Sequence, residues 1–377
     1  MEDNEAAGGA APGAPAARDE ADGGIRIGAD RACAFVILDR PRALNALTTA
    51  MREAMARAFP AWARDPEIYA VVVASATDRA FCAGGDVREL TDWGRARRAD
   101  AVRSLAEEYA LDWLLECFTK PTVSLIDGVV MGSGVGISLY GTHRVAGERY
   151  RFAMPETAIG LFPDVGACWS FARMPDGIGM YLALTGRAIG RADAYRLGLV
   201  THCIPERRFV EIRAALADAD PVDPVLDERH EDPGPGELDR LRPAIARCFA
   251  QGTVEGVIDR LKAERDGSEG WAQGVLGELA ARSPTALKIT HRHVREAREL
   301  DLREVLIRDF RLACRCLDGA DLYEGVRAAL IDRDRTPRWQ PGRLEDVSAG
   351  VIDAYFAPLA EGELALPSRA RMQAFSP

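Results

Sequence analysis

Two glycine turns of the same build constrain this chain more than any other feature. The first, Phe81-Cys-Ala-Gly-Gly-Asp-Val87, follows the β-branched run Ala70-Val-Val-Val-Ala74. The second spans Gly128 to Gly136, includes Met131-Gly-Ser-Gly-Val-Gly136, and follows Val123-Ser-Leu-Ile126. Each apolar run reads as a buried strand. Each glycine stretch reads as a turn into a helix, one starting at Val87 and the other opening over Ile137 to Leu139. A helix that begins on glycines leaves backbone N–H groups free at the positive end of its dipole. That arrangement suits an anion or a developing oxyanion. Glycine turns can also serve close packing alone. The run beyond the second turn argues for more: Phe152-Ala-Met-Pro-Glu-Thr-Ala-Ile-Gly-Leu-Phe-Pro-Asp-Val-Gly166 is apolar except for a few positions, among them the carboxyls Glu156 and Asp164. Apolar surroundings raise a carboxyl pKa and make it a candidate acid, base or nucleophile.

The remaining pattern predicts an α/β protein. Ala34-Phe-Val-Ile-Leu38 is a strand, and Thr48 caps a helix from Thr49 to Trp62. From Ala99 to Phe118, Val102, Leu105, Tyr109, Trp113 and Leu114 form a helical apolar stripe, with Glu107 and Glu108 set inside it. Arg144–Ala146 and Tyr150–Phe152 read as short strands. Asp176–Leu184 and Arg191–Gly198 read as helices, and Leu199–Ile204 as the last core strand. Ser283-Pro284 is a helix start. The expected organisation is a disordered Ala/Gly/Pro-rich tail at 1–24, a core at 25–215, a linker or surface loop at 216–236, and a mostly helical region at 237–377.

Bulk properties narrow the function. A net charge of −10 argues against a nucleic-acid binder. No apolar run reaches the ~20 residues of a transmembrane helix, so no membrane partner is expected. The opening Met1-Glu-Asp-Asn-Glu5 lacks the basic and apolar regions of a signal peptide and is too acidic for a transit peptide, so a cytoplasmic location is expected. The eight cysteines are scattered in mostly apolar runs and read as free buried thiols. Cys314-Arg-Cys316 has no second ligand pair nearby. His291 and His293 lie two apart on a helix and hence on different faces, so no metal site is expected. Lysine occurs only at Lys120, Lys262 and Lys288, so a ligand phosphate would mostly meet arginine.

Phe81-Cys-Ala-Gly-Gly-Asp86 and Gly132-Ser-Gly-Val-Gly136 together resemble the two oxyanion loops of the crotonase (enoyl-CoA hydratase/isomerase) superfamily. Within it, Glu107-Glu-Tyr109, the Met154–Gly166 run, Leu182-Ala-Leu-Thr-Gly186, Ser283-Pro-Thr-Ala-Leu-Lys-Ile-Thr290 and Glu324–Asp334 are similar to the 3-hydroxyisobutyryl-CoA hydrolase subgroup, over roughly Ile25 to Trp339. The resemblance implies a crotonase-like spiral of repeated ββα units with a C-terminal helical region, and an acyl-CoA substrate. It implies thioester hydrolysis in valine breakdown, no cofactor beyond the coenzyme A of the substrate, and a homotrimer as the family default.

The resemblance also implies site residues. The backbone N–H groups of Gly85 and Ser133 form the oxyanion hole. Glu156 is nucleophile or general base, and Asp164 its acid/base partner. Glu108 holds a β-hydroxyl on the acyl group. Arg42 faces the phosphates of coenzyme A, and Ala83 and Gly132 complete the substrate-binding set. The chain departs from the family at Ser133, where glycine is usual, which adds bulk and disfavours a positive φ. Hydratases of the superfamily carry a second glutamate where this chain has Gly136. An enoyl-CoA hydratase or isomerase using Glu156 alone, and a non-catalytic acyl-CoA binder, are the alternatives. The first would consume the enoyl double bond without releasing thiol; the second would bind without turnover.

Overall fold

The computed structural model describes residues 20–265, 267–360 and 362–374. In chain order its strands are β1 (Glu20–Asp22), β2 (Ile25–Asp30), β3 (Cys33–Leu38), β4 (Ala70–Ser75), β5 (Ala80–Cys82), β6 (Thr122–Ile126), β7 (Val129–Met131), β8 (His143–Ala146), β9 (Arg151–Ala153), β10 (Ile189–Gly190) and β11 (His202–Cys203). They form a seven-stranded sheet in the order β1-β2-β3-β4-β6-β8-β11 and a four-stranded sheet in the order β10-β9-β7-β5. From β3 to β11 the larger sheet is parallel.

Parallel strands are commonly covered on both faces, and β3 shows the consequence. Ala34, Val36 and Leu38 enter the main core, while Cys33, Phe35 and Ile37 enter a second core on the opposite face. Hence the run is apolar throughout rather than alternating. The second core is closed by Ile212 and Leu216 of the helix Phe209–Ala217 and by Val225 and Leu226 of the helix Val222–Asp227.

Four helices frame the site: α1 (Thr49–Arg64), α2 (Val87–Ala96), α3 (Arg98–Cys117) and α4 (Ser133–Leu139). Thr48 caps α1, its hydroxyl accepting from Met51 N–H at 3.3 Å. Ser283 caps the helix Pro284–Glu296, accepting from Ala286 N–H at 3.0 Å. All eight cysteines are free and buried. Among the described residues, no helix is long and apolar enough to cross a membrane.

Four expectations need correction. Residues 1–19 of the expected disordered tail lie outside the described residues, but Glu20–Asp22 pairs antiparallel with Ile25–Ile27 as a strand. Residues 216–236 carry the helix Val222–Asp227; Val222, Val225 and Leu226 stand at helical spacing beneath the acidic and proline-rich composition that reads as loop. The second glycine turn is much shorter than Gly128–Gly136, because β7 runs to Met131 and α4 already begins at Ser133. The last core strand shrinks to His202–Cys203, its flanks being irregular.

Candidate active site

Strands β5, β7 and β9 lie side by side and parallel, with Ala80 opposite Val129 and Met131 opposite Ala153. Their C-terminal ends therefore deliver three loops to one place: Ala83-Gly84-Gly85 after β5, Gly132-Ser133 after β7, and Met154-Pro155-Glu156 after β9. The loops line a cavity of about 570 Å³. Every residue that the resemblance assigns to the site borders it: Gly85, Ser133, Glu156, Asp164, Glu108, Arg42, Ala83 and Gly132.

The two glycine turns approach so closely that a side chain at one position would be crowded as well as strained. Gly132 has φ +47°, and a Cβ there would stand 3.2 Å from Glu156 Oε1 and 3.3 Å from Gly84 Cα. Gly132, not Ser133, takes the left-handed backbone, so serine follows it without conformational cost as the first residue of α4. Among the described residues, no backbone carbonyl accepts from the Gly85 or Ser133 N–H. The Ser133 hydroxyl donates to Glu108 Oε1, so its bulk is turned onto α3.

Glu108 is held from its other side by Arg52 of α1, 3.6 Å from Oε2. Arg52 is itself buried and donates to Ser104 Oγ at 2.6 Å and Thr49 Oγ1 at 3.2 Å. A buried carboxyl held from both sides in this way is fixed in direction. Glu107, its neighbour, is half-buried, with Arg103 3.8 Å from Oε1 and Oε2 buried without a partner among the described residues.

Glu156 and Asp164 are each 7% exposed. Glu156 Oε2 is buried with no hydrogen-bond partner among the described residues. Burial pushes the Glu156 carboxyl well above its ordinary range, and the nearby Asp164 adds to this. Asp164 is raised likewise, by burial first and then by Glu108 and Asp309; a hydrogen bond from Tyr109 partly offsets the rise. That bond runs from the Tyr109 hydroxyl to Asp164 Oδ2 at 2.8 Å. Neighbouring buried carboxyls do not readily all carry charge together.

Sequence reasoning missed several contributors. Tyr109 belongs to the apolar stripe of α3, yet its hydroxyl serves Asp164. Arg52 and Ser104 showed only as ordinary helical positions. Asp112, one turn beyond Glu108, is 1% exposed and its Oδ2 has no partner among the described residues. A Cβ on Gly136 would lie 2.5 Å from Asp112 Oδ1, so this carboxyl occupies the space that a side chain at position 136 would need. Burial raises the Asp112 pKa well above the ordinary range, and Glu108 and Asp164 raise it further. The far wall is C-terminal: Ala313, Leu322, Ala329, Leu330 and Arg333 face the cavity from the helices Leu302–Asp318 and Asp321–Val326 and the π-helical turn Arg327–Ile331 with the residues just after it. Arg88 of α2 donates to the Leu330 carbonyl and ties that turn to the site.

Residues 33–356 match the family model for enoyl-CoA hydratase/isomerase. The chain belongs to the enoyl-CoA hydratase/isomerase family. Among relatives of this family, the chain is 41% identical over 345 residues to the mitochondrial 3-hydroxyisobutyryl-CoA hydrolase of Xenopus tropicalis, covering 89% of each. It is 37% identical over 353 residues to 3-hydroxyisobutyryl-CoA hydrolase 1 of Arabidopsis thaliana, covering 90% of this chain and 93% of that one. The crystal structure of a carnitinyl-CoA dehydratase from Mycobacterium thermoresistibile superposes with a TM-score of 0.86 at 35% identity, over 91% of this chain and 99% of that one. The Xenopus relative is named as mitochondrial, which overturns the cytoplasmic expectation.

Proposed function

We propose that this chain is an acyl-CoA thioester hydrolase that cleaves 3-hydroxyisobutyryl-CoA to 3-hydroxyisobutyrate and free coenzyme A, a step of valine breakdown. One observation carries the reading: two buried carboxyls, Glu156 and Asp164, share a cavity with two uncommitted backbone N–H groups, while the hydratase position 136 has no side chain. The relatives named as 3-hydroxyisobutyryl-CoA hydrolases support it.

As proposed, the thioester oxygen accepts from the Gly85 and Ser133 N–H groups. These are fixed in advance of the charge they meet, and a single such donor typically contributes ~3 kcal/mol to the transition state. Glu156 either attacks the carbonyl carbon, giving a mixed anhydride that water then opens, or takes a proton from a water that attacks directly. In both routes the C–S bond breaks and the thiolate takes a proton from Asp164. The Glu108 carboxylate, steered by Arg52 and Ser133, accepts the substrate β-hydroxyl. Arg42 and Arg333 at the cavity edge meet the phosphates of coenzyme A. Protein groups and water complete this route without a further cofactor. A homotrimer belongs to the proposal, and light scattering of the full chain tests it.

The reaction is tested by thiol release from 3-hydroxyisobutyryl-CoA and crotonyl-CoA side by side. Thiol from the hydroxy ester alone supports the hydrolase. Loss of the crotonyl double bond without thiol moves the chain to the hydratases. 3-Hydroxypropionyl-CoA belongs in the same series, since one methyl group in an apolar pocket discriminates by only ~1–3 kcal/mol.

A further inference from the structure

We propose that Asp309, backed by His293, is a positioning residue for Asp164: it holds the turn that carries Asp164 in a backbone conformation the chain would not keep unaided. The proposal rests on the thioesterase reading above for the role of Asp164. Val165 has φ +49° and Gly166 φ +74°, two successive left-handed residues directly after Asp164. For a β-branched residue this region is an outlier. Such backbones persist only where the surroundings over-determine them.

Three side chains from three directions do so here. Tyr109 of α3 donates to Asp164 Oδ2 at 2.8 Å. Tyr140, just beyond α4, donates to the Val165 carbonyl at 2.5 Å. Asp309 of the helix Leu302–Asp318 accepts the Gly166 N–H at Oδ2, 2.7 Å away. Its other oxygen, Oδ1, lies 2.6 Å from Nε2 of His293 on the helix Pro284–Glu296. Both side chains are 0% exposed. A carboxylate only accepts, so His293 Nε2 carries the hydrogen. Asp309 thus has one oxygen on the C-terminal helices and the other on the turn.

Asp309 also faces Asp164 as a charge. The other titratable groups around Asp164 are Glu108, Tyr109 and Asp112 of α3, Glu156 at the start of its own loop, Cys168 just beyond the turn, and Cys316 further along the Asp309 helix. Arg52 is the cation paired with Glu108 nearby. After burial and Glu108, Asp309 is a further cause of the raised Asp164 pKa, and a raised pKa suits a donor to a leaving thiolate.

Asp309→Asn keeps an acceptor for Gly166 but removes the charge; Asp309→Ala removes both. The measurements are kcat and KM for thioester cleavage against pH, and amide hydrogen exchange across 161–169. Asp309→Asn is expected to move the alkaline limb of kcat to lower pH. Asp309→Ala is expected to lower kcat by roughly tenfold or more with KM nearly unchanged, and to speed exchange in the turn. A lower Tm with the pH limb, kcat and exchange all unchanged would overturn the proposal. If neither variant folds, His293→Ala and His293→Gln decide: alanine is expected to lower kcat and speed exchange, and glutamine, which again offers Asp309 a donor, to recover both. Equal behaviour of the two would count against the proposal. If the wild type cleaves no thioester, the functional reading fails, while the exchange rates still judge Asp309.

Discussion

Replacing Glu156 by glutamine is expected to abolish turnover and stabilise the fold, with a gain that depends on pH. The Glu156 carboxyl is 7% exposed and its Oε2 has no partner among the described residues. Burial, with Asp164 beside it, raises its pKa well above 4.5 in the folded chain. Below about pH 4.5 it is protonated both folded and unfolded, and the variant and wild type are equally stable on this account. As pH rises past that value the unfolded chain releases the proton and the folded chain does not. Wild-type stability then falls by about 1.4 kcal/mol per pH unit until the folded pKa is reached, and the deficit is constant beyond it. Glutamine has nothing to titrate. The gain expected at pH 8 is therefore about 1.4 kcal/mol for each pH unit between the unfolded and folded pKa values. The assay is urea unfolding of both proteins from pH 4.5 to 9, with thiol release measured alongside and expected to fall at least ~100-fold. Stability curves that run parallel across this range would refute the argument, because the group would then titrate alike in both states.

Gly136→Ala places a methyl 2.5 Å from Asp112 Oδ1, and overpacking of this kind costs about 1–3 kcal/mol; urea unfolding of the single variant and of Gly136→Ala/Asp112→Ala checks that the second change relieves the first. Tyr109→Phe strips Asp164 Oδ2 of its 2.8 Å donor and so raises the Asp164 pKa further. The pH profile of kcat is expected to move its Asp164 limb upward, with a stability loss of about 1–3 kcal/mol in chemical denaturation. Arg42→Ser and Arg333→Ser are each expected to raise KM about twofold to tenfold with kcat unchanged, and the effect is expected to shrink with added salt, as initial rates over a salt series would show.

Much of the site was legible because its parts lie in short, chemically distinctive stretches. The glycine turns announced themselves by residues that only close approach or a left-handed φ requires, and Glu156 and Asp164 by their charge in an apolar run. Strand β3 was legible as well, since two buried faces leave a continuous apolar signature. The rest was hidden by long-range pairing. Tyr109 and Tyr140 look like core residues until their hydroxyls are traced to the turn at 164–166. Asp309 is an ordinary helical aspartate until Gly166, 143 positions earlier, is found at its oxygen. The helix Val222–Asp227 was masked for a different reason: proline and acidic residues dominate its surroundings, and three apolar contacts outweigh them.

The contact between Gly136 and Asp112 also bears on how such a chain can change over generations. The resemblance to the family's hydratases implies a glutamate at position 136, and here that site is blocked by a carboxyl arriving from another helix. A glutamate introduced first would collide with Asp112 and set an additional buried carboxyl beside it. The opposite order, shrinking residue 112 before rebuilding 136, meets no such barrier. Asp112 therefore makes any path to two-glutamate chemistry depend on which substitution comes first.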